Sequence, residues 1–283
     1  MNNREMTINC GGFLLNLSAP RVMGILNITP DSFYDGGQYT TEKQWLEQTE
    51  KMISEGASII DIGALSTRPG SKEIDEKEEL SRILPAVKTI VRHFPKTIIS
   101  VDTWRATVAK NVIGEGAHII NDISGGLFDA QMFATIAELN VPYIMMHTNG
   151  KPDTMQQDPQ YKHLILDLID FFSNQLAALR QLGVHDVILD PGFGFGKTLD
   201  HNYQLLANLS SFHLFELPIL VGVSRKSMVQ KLLNISAKES LNATTILHTI
   251  ALQNGANLLR VHDVKQAMEA ITIVNKMNQI LAI

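Results

Sequence analysis

ASIIDIGALSTRPGSKEIDEKEELSRILPAVKTIVRHFPKTIISVDT, residues 57–103, carries the clearest architectural signal in the chain. It opens on a continuous apolar, β-branched run, ASIIDIG (57–63), and closes on another, TIISVDT (97–103). Runs without polar alternation suit strands covered on both faces, as in a parallel sheet clad by helices. Between the runs, Leu80, Ile83, Leu84, Val87, Ile90, Val91 and Phe94 recur with helical period and gather on one helix face. The segment is a strand–helix–strand unit, and each strand exits on a carboxylate, Asp61 and Asp102.

The same unit repeats outward in both directions. Further buried-strand runs are VMGILNIT (22–29), HIINDI (118–123), PYIMMHT (142–148), VILDPGFG (187–194), PILVGVS (218–224) and LLRVHD (258–263). Helical period returns in Leu164, Ile165, Leu168, Ile169 and Phe172, and in Val264, Ala267, Met268, Ile271 and Val274. Thr41 followed by Gln44 has capping-box form and predicts a helix start. Strand and helix thus alternate eight times, the arithmetic of a (β/α)8 TIM barrel, an α/β fold of ~250 residues. A doubly wound open sheet is the alternative, because periodicity does not reveal closure. No linker tract or short-period repeat divides the chain, so residues 1–283 are expected to be one domain, with 1–20 a lead-in and the barrel at about 21–283.

With 283 residues the chain can bury a core without disulfides. A composition 45% hydrophobic and 19% charged excludes intrinsic disorder. The single Cys10 cannot form an internal disulfide, which points to a reducing compartment. No apolar run approaches the ~18 residues of a membrane span, and MNNREMTINC lacks the apolar core of a signal peptide. A net charge of −5 argues against nonspecific nucleic-acid binding. The expectation is a cytoplasmic protein that binds neither nucleic acid nor membrane.

Ligands of such sheets bind beyond the carboxyl ends of the strands. There stand Asn27, Asp61, Asp102, Asn121 with Asp122, His147, Asp190, Ser224 and Asp263. One polar strand end is commonly a cap or turn. A full ring of them, costly to bury without donors, calls for a ligand rich in N–H groups. Cations join the ring: Arg68 in STRPG, Arg225 and Lys226 in SRKS, and Arg260 with His262 in RVHD. A phosphate site beside the last two strands recurs in barrels, so an anionic, phosphate-bearing substrate fits.

Other chemistries fail on spacing. GFGFGKT (192–198) has three residues between Gly192 and Gly196 where a phosphate loop needs four, and Lys197 stands where the dinucleotide fingerprint needs its third glycine. No histidine pair or cysteine cluster has zinc spacing. No G-x-S-x-G elbow is present, Ser224 being followed by Arg225 and Lys226. A Mg²⁺ shared with substrate phosphates needs only one or two protein oxygens, and Asn27 is the candidate.

NITPDSF (27–33), GALSTRPGS (63–71), SVDT (100–103), IINDISGG (119–126), DPGFGFGK (190–197), GVSRKS (222–227) and RVHDV (260–264) together resemble dihydropteroate synthases, in order and in register across residues 22–264. The resemblance implies a barrel that joins 6-hydroxymethyl-7,8-dihydropterin diphosphate to p-aminobenzoate, a homodimer held by the later helices (about 237–281), and inhibition by sulfonamides. It assigns pterin contacts to Asp102, Asn121, Ile123, Met146, Asp190, Phe195, Gly222 and Lys226. Diphosphate contacts fall on Asn27, Arg68, Arg260 and His262, with Mg²⁺ at Asn27. The p-aminobenzoate site falls on Phe33, Thr67, Arg68, Pro69, Phe195, Lys226 and Ser227, and Asp102, Lys226 and Arg68 are implied to be catalytic. Loops 30–39 and 64–72 are expected to move and close over the site.

One segment departs from the pattern. After the fifth strand the family has Met-His-Met and then a basic residue, whereas this chain has His147-Thr148-Asn149-Gly150-Lys151-Pro152-Asp153. Two other readings stand beside the synthase. A methyltetrahydrofolate–corrinoid methyltransferase shares the pterin residues but has no need of STRPG and SRKS. A noncatalytic pterin-binding paralogue could shed Asn27, Arg68, Asp102, Lys226, Arg260 and His262, all of which are intact.

Overall fold

The computed structural model describes residues 6–28, 42–65, 74–151, 154–156 and 159–281. Within the expected lead-in, β1 (Thr7–Cys10) and β2 (Phe13–Asn16) pair as an antiparallel hairpin. Four-residue strands carry too little pattern to be recognised in sequence. The signal was the turn: Gly11 and Gly12 have φ of 61° and 94°, and a two-residue hairpin turn of this kind requires positive φ at both central positions.

Eight parallel strands follow: β3 (Arg21–Asn27), β4 (Ile59–Gly63), β5 (Ile98–Asp102), β6 (Ile119–Asp122), β7 (Tyr143–Met146), β8 (Val187–Asp190), β9 (Leu220–Val221) and β10 (Leu258–Val261). Each neighbours its predecessor, and β10 returns to β3 with Leu258 opposite Arg21. A parallel bridge between Leu189 and Ile219, with Leu189 N–H donating to Pro218 O at 2.9 Å, links β8 to the start of β9 and closes the ring. The fold is therefore a (β/α)8 barrel, and the open sheet is set aside.

The helices α1 (Glu42–Ser54), α2 (Glu76–His93), α3 (Ala106–Gly114), α4 (Met132–Leu139), α5 (Leu164–Gln181), α6 (Leu199–Ala207), α7 (Ser227–Leu233), α8 (Leu241–Gln253) and α9 (Val264–Leu281) cover the outside. Two of them, α7 and α8, lie between β9 and β10, so the eightfold alternation carries one additional helix. In α2, Asp75 accepts from Glu78 N–H at 2.8 Å and caps the first turn, while Ile83, Ala86, Val87 and Ile90 are buried against the sheet. Thr41 lies outside the described residues, and the helix it was read to open begins at Glu42. No helix among the described residues is long and apolar enough to cross a membrane.

The hairpin plugs the amino-terminal end of the barrel. Ile8, Cys10, Leu15 and Leu17 pack against Met23, Ile59, Ile98, Ile119, Ile144, Ile188, Leu220 and Leu258, one residue from each barrel strand. Side chains alternate along a strand, so this layer fixes the parity of the interior. Two residues further along each strand, the inward positions include Asp61, Asn121, Met146, Asp190, Gly222 and Arg260. Another two residues bring Asn27 and Asp102 inward. The apolar plug seals one end, and the polar residues stand directly above it.

Candidate active site

The floor of the mouth is an ion-pair network. Arg260 on β10 donates from Nε to Asp61 Oδ2 at 2.6 Å and from Nη2 to Asp102 Oδ2 at 2.9 Å. Asp61 Oδ2 also accepts from Asn121 Nδ2 at 3.0 Å. The other oxygens, Asp61 Oδ1 and Asp102 Oδ1, are buried without a hydrogen-bond partner among the described residues. Burial pushes the Asp102 carboxyl up to about 7, while Arg260 beside it pulls the other way. Asn27 Oδ1 and Asp102 flank Gly63: a Cβ there would lie 3.6 Å from Asn27 Oδ1 and 3.8 Å from Asp102 Oδ2.

Across the mouth, Asp190 ends β8 and accepts from Gly192 N–H at 2.8 Å. Burial raises its carboxyl, with Lys226 opposing. The Lys226 ammonium donates to Phe193 O and sits 4.5 Å from the Phe195 ring centroid. Burial lowers it to about 8, and Asp190 acts against that shift. Gly222 keeps this side open, since a Cβ there would stand 4.0 Å from Lys226 Nζ and from Arg260 Cβ. Ile123, Met146 and Trp104 form a small buried cluster, with Leu65, Phe128 and Phe195 packed against it. That is an apolar wall facing a ring of hydrogen-bonding groups.

Behind the wall, Lys197 is 4% exposed. Its Nζ donates to Gly192 O at 3.0 Å and Phe195 O at 3.2 Å, and meets His147 Nδ1 at 3.1 Å. Burial brings Lys197 down to about 7 and His147 to about 2. The segment after His147 braces the β8 loop. Tyr161 donates to Gly196 O at 2.8 Å, and a Cβ on Gly196 would come within 2.8 Å of Asn149 Cβ. Thr148 turns back to Gly150 O at 2.9 Å.

Several of the polar strand ends do not face the mouth. Asp122 has the opposite parity to Asn121 and accepts from Tyr143 OH at 2.6 Å, Ser124 N at 2.7 Å and Gly126 N at 3.0 Å, a closed turn. Asp263 is held by Arg225 through two bonds of 2.8 Å, so that cation is committed to fixing its loop. Ser224 accepts from the backbone N–H of His262 at 3.2 Å, and His262 and Ser227 are exposed at the rim. For these ends the ordinary turn or cap role holds. Phe33, Thr67, Arg68 and Pro69, with most of loops 30–39 and 64–72, lie outside the described residues.

Lys197, Trp104 and Phe128 were missed in sequence. In the sequence Lys197 figured only as the residue that breaks the dinucleotide fingerprint in GFGFGKT. The two aromatics had a weak signal, since Trp104 directly follows SVDT and Phe128 lies two residues past IINDISGG.

Comparison with known proteins converges on one group. The pterin binding enzyme family matches residues 23–262. The chain belongs to the dihydropteroate synthases of the pterin binding enzyme family. Over 271 residues it is 45% identical to the dihydropteroate synthase of Escherichia coli K12, covering 95% of both chains. It superposes on a Yersinia pestis dihydropteroate synthase solved with a sulfonamide drug complex, with a TM-score of 0.92, 44% identity and coverage of 97% of this chain and 100% of that one. A Xanthomonas albilineans dihydropteroate synthase solved with 4-aminobenzoic acid gives a TM-score of 0.91 at 34% identity, covering 97% and 99%. As a member of this family the chain is a transferase. Among the described residues no three His, Cys, Asp or Glu side chains gather as a metal cluster. The oxygens near Gly63, Asn27 Oδ1 and the Asp102 carboxylate, are hard donors of the kind that Mg²⁺ takes.

Proposed function

We propose that this transferase condenses 6-hydroxymethyl-7,8-dihydropterin diphosphate with p-aminobenzoate, giving 7,8-dihydropteroate and diphosphate. The observation that carries the reading is the facing of two sets of groups across one barrel mouth. Asn121, Asp190 and Lys226 stand on the arc from β6 to the end of β9, and the Arg260–Asp61–Asp102 network stands on the remaining arc, from β10 through β4 to β5.

A pterin presents adjacent N–H donors on its aminopyrimidine edge. Asp190 accepts them, since a carboxylate has about four lone-pair sites and Gly192 occupies one. Lys226 donates to the ring carbonyl and nitrogen, and Asn121 completes the edge. Met146, Ile123 and Phe195 hold the ring faces, and Gly222 leaves room for the ring. Arg260 and His262, with Asn27 and Arg68, receive the diphosphate. Asn27 would hold a Mg²⁺ shared with the substrate phosphates, which would offset the charge on the leaving group.

The bond from the pterin methylene carbon to the diphosphate oxygen breaks first, and its electron pair leaves on diphosphate. The positive charge delocalises into the dihydropterin. Asp102, kept largely out of water, faces that charge at a site where fixed charges act strongly. The p-aminobenzoate amine attacks the methylene carbon and then passes its proton to the released diphosphate, so no enzyme nucleophile is required. Thr67, Arg68, Pro69, Phe33 and Ser227 receive p-aminobenzoate or a sulfonamide in its place, in keeping with the ligands of the Yersinia and Xanthomonas relatives.

A homodimer in the cytoplasm belongs to the same reading. Ile246, Ile273, Met277, Ile280 and Leu281 are exposed apolar residues on α8 and α9, which supports an interface there.

The test is to mix the protein with the two substrates and Mg²⁺ and follow dihydropteroate by chromatography. Product that is lost in Asp102→Ala or Lys226→Ala supports the reading. Folded, pterin-binding protein without product overturns it.

A further inference from the structure

We infer that Asp61 is a positioning residue that couples recognition of the pterin edge to recognition of the diphosphate. The inference rests on the proposed reaction and extends it to a residue with no assigned role in it. Its basis is one oxygen: Asp61 Oδ2 accepts from Asn121 Nδ2 at 3.0 Å and from Arg260 Nε at 2.6 Å. Asn121 belongs to the pterin arc, Arg260 to the anion side, and these two partners lie on β6 and β10, while Asp61 is on β4.

Chemistry fixes the orientation of both partners. A carboxylate only accepts, so the nitrogen of the Asn121 amide must face it, which turns Oδ1 away from Asp61. Asn121 therefore offers a defined acceptor to the ligand instead of two interchangeable amide orientations. Arg260 is forked between two carboxylates, Asp61 through Nε and Asp102 through Nη2 at 2.9 Å, so its guanidinium plane is set before any anion arrives. Asp61 is fully buried, where water does not screen the pair and a slack geometry would leave charge unpaired. Its position in the layer directly above Ile59 of the plug keeps it rigid. Shifting either partner must shift the oxygen that orients the other.

Dissociation constants for dihydropterin diphosphate would be measured by calorimetry on wild type, Asn121→Ala, Arg260→Lys and the double variant. The expected result is non-additivity of about tenfold, the scale of residues sharing one network, and its disappearance in an Asp61→Asn background. Additive effects in the wild-type background overturn the inference. Should Asp61→Asn fail to fold, the Nδ2 amide resonances of Asn121 in otherwise native protein serve instead. A shift on Arg260→Lys supports coupling through Asp61, and an unmoved resonance overturns it. Wild-type protein that does not bind the ligand overturns the synthase reading and this inference with it, a failure told apart because it precedes any substitution.

Discussion

Nζ of Lys197 lies 3.1 Å from Nδ1 of His147, tying the loop after β8 to the end of β7 behind the apolar wall. When Lys197 is an ammonium it can only donate, so Nδ1 then accepts and the neutral imidazole carries its proton on Nε2. Burial and the adjacent ammonium both favour that state, bringing His147 down to about 2.

Lys197→Met is expected to leave Phe195 O without its lysine donor and Gly192 O with the Phe195 N–H alone. Stranding buried acceptors costs about 1–3 kcal/mol. Thermal denaturation should show a lower Tm, and the KM for dihydropterin diphosphate should rise because Phe195 loses its anchor. An unchanged KM would mean that the loop is held by its backbone alone.

Activity is expected to fall as pH rises through about 8. Lys226 gives its strongest, charge-assisted bonds as an ammonium, and burial has brought it down from 10.5 to about 8. The stability sign follows from the same shift. Between about 8 and 10.5 the unfolded chain holds this proton and the folded chain does not, so this residue's contribution to stability rises with pH over that window. A kcat/KM profile checks the limb, and Lys226→Arg should remove it while lowering the plateau.

The plug is expected to govern stability without touching turnover. Leu17 is fully buried in it, at the end of the barrel away from the site. Leu17→Ala should cost about 2–5 kcal/mol in denaturant unfolding, with KM unchanged. Cys10, in the same layer, has its thiol pushed up to about 12 by burial, with Asp186 adding to the shift. It should label with iodoacetamide only on unfolding, so early labelling of native protein would contradict a closed plug.

Gly192 is expected to tolerate no side chain. Its φ is +74°, and a Cβ would fall 2.0 Å from His147 O. Gly192→Ala should displace the loop bearing Phe193 and Phe195, abolishing pterin binding in a calorimetric titration. Retained affinity would show that the two loops part easily.

Met277→Glu on α9, where the side chain is 45% exposed, is expected to convert a dimer to monomer by analytical ultracentrifugation. A dimer that survives the charge places the interface on another face.

Much of the mouth was legible in sequence because its signals are local. Asp102, Asn121 and Asp190 end buried β-branched runs, and Lys226 follows the strand run PILVGVS by two residues. Phe195 and Gly222 lie in the glycine-bearing turns of the same motifs. The hairpin at 7–16 was not legible, its strands being too short to display a period. Nor was the commitment of Arg225 to Asp263, for a cation beside a barrel mouth looks the same in sequence whether it faces a ligand or a loop.

From the sequence alone came the run of eight strands, the order of the motifs and the chemical character of the mouth, since hydrophobic period and strand termination are properties of neighbouring residues. The tertiary structure alone decided which polar ends face inward, because parity is set by the plug layer beneath them. That is why Asn121 lines the barrel while Asp122 closes a turn. It also decided the pairings. Arg225 meets Asp263 across 38 residues, Lys197 meets His147 across 50, and Arg260 meets Asp61 across 199. Contacts at such separations leave no local pattern: parallel pairing sets the ends of neighbouring strands together in the first two, and in the third the closed ring brings β10 against β3, beside β4, so that their inward side chains share one interior.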